Sequence, residues 1–293
     1  MVRYKKSVAE KAATVLIYAA VILLSFCFVY PIYYCLIMSV SDATLLGGRT
    51  VGFLPFGFSL DAYKYLLSSS KVFRYYGNTL LYAGLGTTIS VLVTSLVGYS
   101  LSISSFSGRK FITVFLVITM FFSGGMIPSY MVILKLGLMD TVWAMVLPAV
   151  SAYQVMVYKT FFRQLPAGLL EAAKIDGAGH MRILFTIVMP LSKALLATMI
   201  LFSVVGHWNS YMTAVLYLND SDKFPIQMLL RSLLINMEVY EDESMRAMAT
   251  SVKTSTRTVK CAGAMIAMIP ILCVYPFAQK YFAKGMVVGS IKE

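Results

Sequence analysis

The segment Glu171-Ala172-Ala173-Lys174-Ile175-Asp176-Gly177-Ala178, continued from Gly179 to Pro190, decides how this chain is read. It is the longest charge-bearing stretch between two uncharged apolar runs in the middle of the sequence. Its local chemistry predicts two short helices. Pro166 suits the first turn of the first helix, where a missing N–H costs nothing. Gly177 stands where that helix stops, because glycine adopts the left-handed conformation freely. Met181, Leu184, Phe185 and Val188 then follow an i, i+3, i+4, i+7 spacing that lays one apolar face along the second helix. Pro190 marks entry to the next apolar run. An amphipathic pair must bury its apolar face on the chain's own helices, at a lipid surface or against a soluble partner. Periodicity leaves all three open.

The surroundings of this segment are those of a membrane protein. Of 293 residues, 59% are hydrophobic and 13% charged, whereas soluble domains carry about 25% charged residues. The mean hydropathy of +0.77 points the same way. Six apolar spans can be drawn, roughly Ala12–Met38, Tyr75–Ile103, Phe111–Leu134, Val142–Tyr158, Ala194–Leu216 and Cys261–Gln279, and none contains Asp, Glu, Lys or Arg. The expected fold is therefore all-α, a bundle of six transmembrane helices over residues 12–279. Its flanks are a tail at 1–11, a tail at 280–293, the loop 163–190 on one side, and segments 39–74 and 217–260 on the other. The first span is too long for a signal peptide and lacks a small-residue cleavage site. The net charge of +12 falls at span ends and forms no basic block, which argues against nucleic acid. Cys27, Cys35, Cys261 and Cys273 all lie in apolar runs and read as small buried hydrophobes.

Basic residues set the expected orientation. With the N-terminus inside, the cytoplasmic segments hold 14 Lys and Arg in 67 residues and the external ones 11 in 87, the expected sign. Both termini and the 163–190 loop are then cytoplasmic. Within the spans, Gly124-Gly125 and Pro128 break the third. That places Ser123 near a cavity or gate, or marks an ordinary kink. Ser151, Tyr153 and Gln154 should face other helices and not lipid. Asn209 lies about 28 Å beyond Pro190 along a helix. Trp208 and Tyr211 beside it suit an interfacial belt, whereas Asn209 is harder to explain by lipid contact. The acidic run from Glu238 to Glu243 suits a solvated face or a partner contact.

No energy-converting chemistry is visible. A phosphate cradle ends in Gly-Lys-Ser/Thr, and no Gly-Lys dipeptide occurs. His180 and His207 are the two histidines; they cannot build a metal site alone, and neither has an evident acid partner. A secondary transporter usually carries ionisable residues inside its spans, which these spans lack.

The order Glu-Ala-Ala, three residues, Gly177, nine residues, Ile187, one residue, Met189-Pro190 resembles the EAA loop of ABC importer membrane subunits, with Met189 where the family usually has Leu. The resemblance extends to the Trp208-Asn209 pair and to the tail from Lys284 to Lys292, and points to maltose-type carbohydrate importers, in an oligosaccharide or alginate-type branch. It implies a type I importer transmembrane domain in a bacterial inner membrane. In such a subunit Glu171, Ala172, Ala173, Asp176, Gly177 and Ala178 dock on an ATPase. Asn209, Trp208, Tyr211, Gln154 and Ser123 are candidates for the translocation path, and Gly289, Ser290 and Lys292 for a tail at the ATPase interface. The implied partners are a second permease subunit of different sequence, two ATP-binding subunits that hold ATP and Mg²⁺, an extracytoplasmic solute-binding protein and membrane lipid. This chain would be non-catalytic and hold no cofactor. An importer for another solute class and a secondary transporter remain the alternatives.

Reporter fusions at Lys5 and Lys292 should both be active only on the cytoplasmic side. A reporter active outside at either end would overturn the six-span topology.

Overall fold

A computed structural model describes residues 8–47, 49–239 and 256–290. Among them the chain is helical and divides into two compact units. One joins the chain up to Ser69 with Ser232–Ile266; the other joins Ser70–Arg231 with the chain from Ala267 onward.

The first unit begins with α1, Val8–Ser39, whose side chains from Val15 to Tyr30 are largely exposed and apolar. Met38, Leu46 and Val51 form a small core against Tyr34, Ile37 and Cys261. Asp42 caps the short helix α2, Ala43–Leu46, by accepting from the Thr44 N–H, and the predicted helix start at Asp61 opens α3, Asp61–Leu67. The hydroxyls of Ser39 and Tyr63 lie 2.7 Å apart. Cys27 is exposed and Cys35 and Cys261 are half-buried, while Cys273, in the second unit, is also exposed. The expectation of four buried thiols fails for this reason: an apolar run on a membrane helix need not face protein.

The second unit is built around α4, Ser70–Ser102. After a Gly108 turn come α5, Arg109–Phe121, and α6, Met126–Lys135, bent by 119° from each other. Gly125 lies at φ 84° and ψ −176° in this elbow, a region open essentially to glycine alone. The fourth expected span is interrupted: α7, Val142–Val146, passes through a 3₁₀ turn at Pro148 into α8, Ala152–Arg163. The loop helix α9, Ala167–Ile175, is followed by α10, His180–Ile183, a π-turn at Leu184–Val188 and α11, Met189–Leu191. Next, α12, Lys193–Trp208, leaves the loop at 87° and is followed by α13, Tyr211–Tyr217. Then α14, Ile226–Val239, and α15, Thr256–Ser290, complete the described chain.

Close approach to α4 depends on missing side chains. A Cβ at Gly98 would stand 2.7 Å from Tyr158 Cβ and 3.2 Å from the Lys159 backbone nitrogen on α8, and one at Gly86 would overlap the His207 ring on α12. Small residues serve membrane helices in this way because van der Waals contact holds them together. At one end of α4, a polar network adds to the apolar cluster of Tyr82, Met145, Ala214, Leu218 and Met228. Asp140, held at φ 58°, accepts from the backbone N–H groups of Asn219 and Asp220 at 3.1 Å each and from Lys223 Nζ at 3.1 Å. The Asp220 N–H above all holds the Asp140 carboxyl below the usual carboxylate range, and the Asp140 carboxylate raises the Lys223 ammonium. Arg74 pairs with Asp222, and Tyr82 donates to the Lys223 carbonyl at 2.7 Å.

Gly98→Leu should destabilise the purified protein by about 1–3 kcal/mol through overpacking. Gly84→Ala, with nothing among the described residues within 4 Å of the new atom, should not destabilise and should gain up to about 1 kcal/mol of helix propensity. Thermal unfolding in detergent checks both; equal melting of Gly98→Leu and wild type would refute the α4–α8 approach.

Candidate coupling loop and polar cavity

The 166–190 loop sits on a core of Tyr99, Tyr158, Phe162, Ala173, Ile183, Leu184, Val188, Leu195 and Met199. Pro166 caps α9 from outside its first turn, with ψ 119°. Gly177 is at φ 78°. Its N–H reaches the Lys174 carbonyl at 3.0 Å, and the Ala178 N–H reaches the Ala173 carbonyl at 2.9 Å. This pair of bonds is a Schellman ending, normally sealed by contact between the two residues of the longer bond. Ala173 and Ala178 belong to one apolar cluster here, so the small residues around Gly177 have a geometric reason. Glu171, Ala172, Asp176 and Gly177 are exposed, Ala178 is half-buried and Ala173 is buried.

The predicted apolar face of the second helix divides. Leu184 and Val188 are fully buried, together with Ile183, while Met181 is 62% and Phe185 47% exposed. The π-turn at Leu184–Val188 changes the residue spacing, so an i, i+3, i+4, i+7 count does not describe its buried side. The sequence reading also missed an anchor: Tyr99 Oη and His180 Nδ1 lie 3.3 Å apart. Periodicity carries no signal for a contact between residues so far apart in the chain. On the free side of the loop, Ile175 is 86% exposed.

The path candidates fall into two groups. Gln154 and Asn209 line one cavity of about 350 Å³ with Ser203, His207, Ser210 and Thr213, at the low end of the range for small-molecule sites. Gln154 accepts from the Ser90 hydroxyl at 3.2 Å, and Asn209 accepts from Gln227 Nε2 at 3.2 Å. Asn209 ends α12 at the junction with α13. Trp208 faces the other way: it is buried, its Nε1 donates to the Ala267 carbonyl at 3.0 Å, and its ring meets Tyr76. Tyr211 and Ser123 are exposed and lie outside this cavity lining. Gly289 and Ser290 end α15; Lys292 lies outside the described residues, as do Glu241, Asp242 and Glu243 of the acidic run.

The family described as "Binding-protein-dependent transport system inner membrane component" matches residues 54–288. The polygalacturonan/rhamnogalacturonan transport system permease protein YtcP of Bacillus subtilis is 40% identical over 278 residues, covering 94% of this chain and 97% of that one. The maltodextrin transport system permease protein MdxG of the same organism is 28% identical, over 98% of this chain and 99% of that one. A crystal structure of a bacterial ABC transporter involved in the import of the acidic polysaccharide alginate contains a chain that superimposes with a TM-score of 0.88 at 29% identity, over 95% of this chain and 99% of that one.

In a variant lacking the native cysteines, Asn209→Cys should react readily with a small hydrophilic maleimide, and Trp208→Cys should not. Equal labelling would contradict the opposed placement of these neighbours.

Proposed function

The chain belongs to the family of binding-protein-dependent transport system inner membrane components, and on that premise we propose that it is the non-catalytic permease subunit of an ATP-driven importer for oligosaccharides. Acidic glycan fragments are the first substrates to test, given what the relatives at 40% identity and TM-score 0.88 are named for. The chain forms half of a translocation path, with Gln154 and Asn209 facing the solute. A second permease completes the path. Two ATP-binding subunits hold ATP and Mg²⁺, and an extracytoplasmic protein delivers the solute. Both termini and the 163–190 loop face the cytoplasm.

The observation that carries this reading is the loop's two-sidedness. Ala173, Ile183, Leu184 and Val188 anchor it to the bundle, while Ile175 on α9 is 86% exposed. Exposed apolar residues on a rigid helical elbow suit a cleft in a soluble ATPase. Glu171, on an exposed face of α9, adds a charge for a basic group there. Force applied at the loop reaches α12 directly, because the two meet within a residue of Ser192.

Gly177→Asp should abolish uptake, either releasing the ATPase or uncoupling hydrolysis from solute, while the protein still inserts. The left-handed backbone alone charges a residue with a Cβ roughly 1 kcal/mol or more. Among the described residues, its chain neighbours apart, nothing lies within 4 Å of the new Cβ, so a larger loss is assigned to the docked partner. The measurement is solute-stimulated ATP hydrolysis in reconstituted vesicles beside a pull-down of the ATPase. Normal stimulation and normal uptake would remove the coupling role.

A further inference from the structure

Four cations gather where α5 begins and α8 ends. Lys159 on α8 is 9% exposed, and its Nζ donates to the Thr113 hydroxyl on α5 at 2.9 Å. Arg109 lies one helical turn before Thr113, on the same side of α5, and Lys110 is three residues before it. Arg163 lies one turn after Lys159 on α8. Residues so spaced share a helix face, so both pairs turn toward one junction, and Arg109 and Arg163 are the charges that act on Lys159. Among the described residues none of these four cations makes an ion pair.

The arrangement opposes the helix dipole. The N-terminus of α5 has no side-chain cap and no acidic residue in its first turn, yet Arg109 and Lys110 add positive charge to its positive end. A buried ammonium hydrogen-bonded to a neutral hydroxyl, beside further cations, is costly unless an anion completes the site. Beside this junction the surface of α5 is apolar: Phe111, Val114, Phe115 and Ile118 form an i, i+3, i+4, i+7 stripe, each at least half exposed. Lys110 and Val114 are one turn apart, so the stripe begins at the cationic cluster.

We propose that Arg109, Lys110, Lys159 and Arg163 bind the phosphate of an anionic phospholipid whose acyl chains lie along the exposed stripe of α5. Charge selects the headgroup, and the adjoining stripe selects a lipid over a free phosphate. The site fastens the end of α8 that leads, within three residues of Arg163, to Pro166 and the coupling loop. Its placement in the cytoplasmic leaflet rests on the orientation proposed above; binding itself does not.

The test uses the intact transporter, purified with its partner subunits in neutral detergent, stripped of lipid and titrated with phosphatidylglycerol or phosphatidylcholine under native mass spectrometry. The wild type should retain phosphatidylglycerol in preference. Arg109→Gln with Arg163→Gln should weaken it about thirtyfold, at roughly fivefold per basic group, whereas the double Lys variant should retain it and Lys193→Gln should bind as wild type. Gel filtration checks that each complex is assembled. Equal affinity for the two lipids, unchanged affinity in the double Gln variant, or full displacement by millimolar inorganic phosphate would overturn the site. The reporter fusions at Lys5 and Lys292 decide the leaflet separately: an external reporter with binding intact would overturn the proposed topology and leave the site standing.

Discussion

Everything in the second unit depends on how closely α8 and α12 approach α4. Two absent side chains permit that approach: Gly98 under Tyr158 and Gly86 under His207. In lipid the hydrophobic effect does little to hold helices together, so contact distance decides stability. The glycines on α4 set where its neighbours cross, and those neighbours carry the candidate site residues. Gln154 and Arg163 lie toward opposite ends of α8, and Lys193 and Asn209 at opposite limits of α12. A shift of either helix against α4 therefore moves a cavity residue and a loop residue together.

The coupling loop shows how this linkage is terminated. Its core cluster draws Tyr99 from α4, Tyr158 and Phe162 from α8, Leu195 and Met199 from α12, and Ile183, Leu184 and Val188 from the loop itself. The loop is thus a packed member of the bundle on one face and open on the other. Ser192 is fully buried at the turn into α12, where the chain changes direction by 87°. In the coupling role proposed above, packing at such a corner is what would carry a displacement of the loop into α12.

Much of this was legible in advance. Prolines and glycines are local constraints, and two positions read from them hold, Gly177 at the α9 ending and Gly124-Gly125 with Pro128 at the break after α5, while Pro166, expected in the first turn of α9, precedes it. What failed depended on tertiary contacts. An ideal helical period assigned Met181 and Phe185 to the same face as Leu184 and Val188; Phe185 lies in a π-turn that changes the spacing, and Met181 stays exposed on the turn before it. Pro148 sits in a 3₁₀ turn that divides a span read as continuous. Trp208 and Asn209, paired in the sequence by their resemblance to the carbohydrate importers, point apart at the helix end, one to the Ala267 carbonyl and one to the cavity. Lys159 went unsingled because its burial is set by α5, a partner helix that its own sequence neighbourhood does not reveal.

The elbow between α5 and α6 bears on how the chain enters a bilayer during synthesis. Thirteen residues of α5 and ten of α6 rise only about 20 and 15 Å, against a hydrocarbon core of about 30 Å. Neither piece is long enough to be partitioned into lipid alone, whereas the uncharged run from Phe111 to Leu134 is. The insertion machinery therefore meets one continuous segment. Its 119° fold is completed only when Ile133 packs with Ala144 and Tyr217, because Tyr217 lies far beyond this segment in the chain.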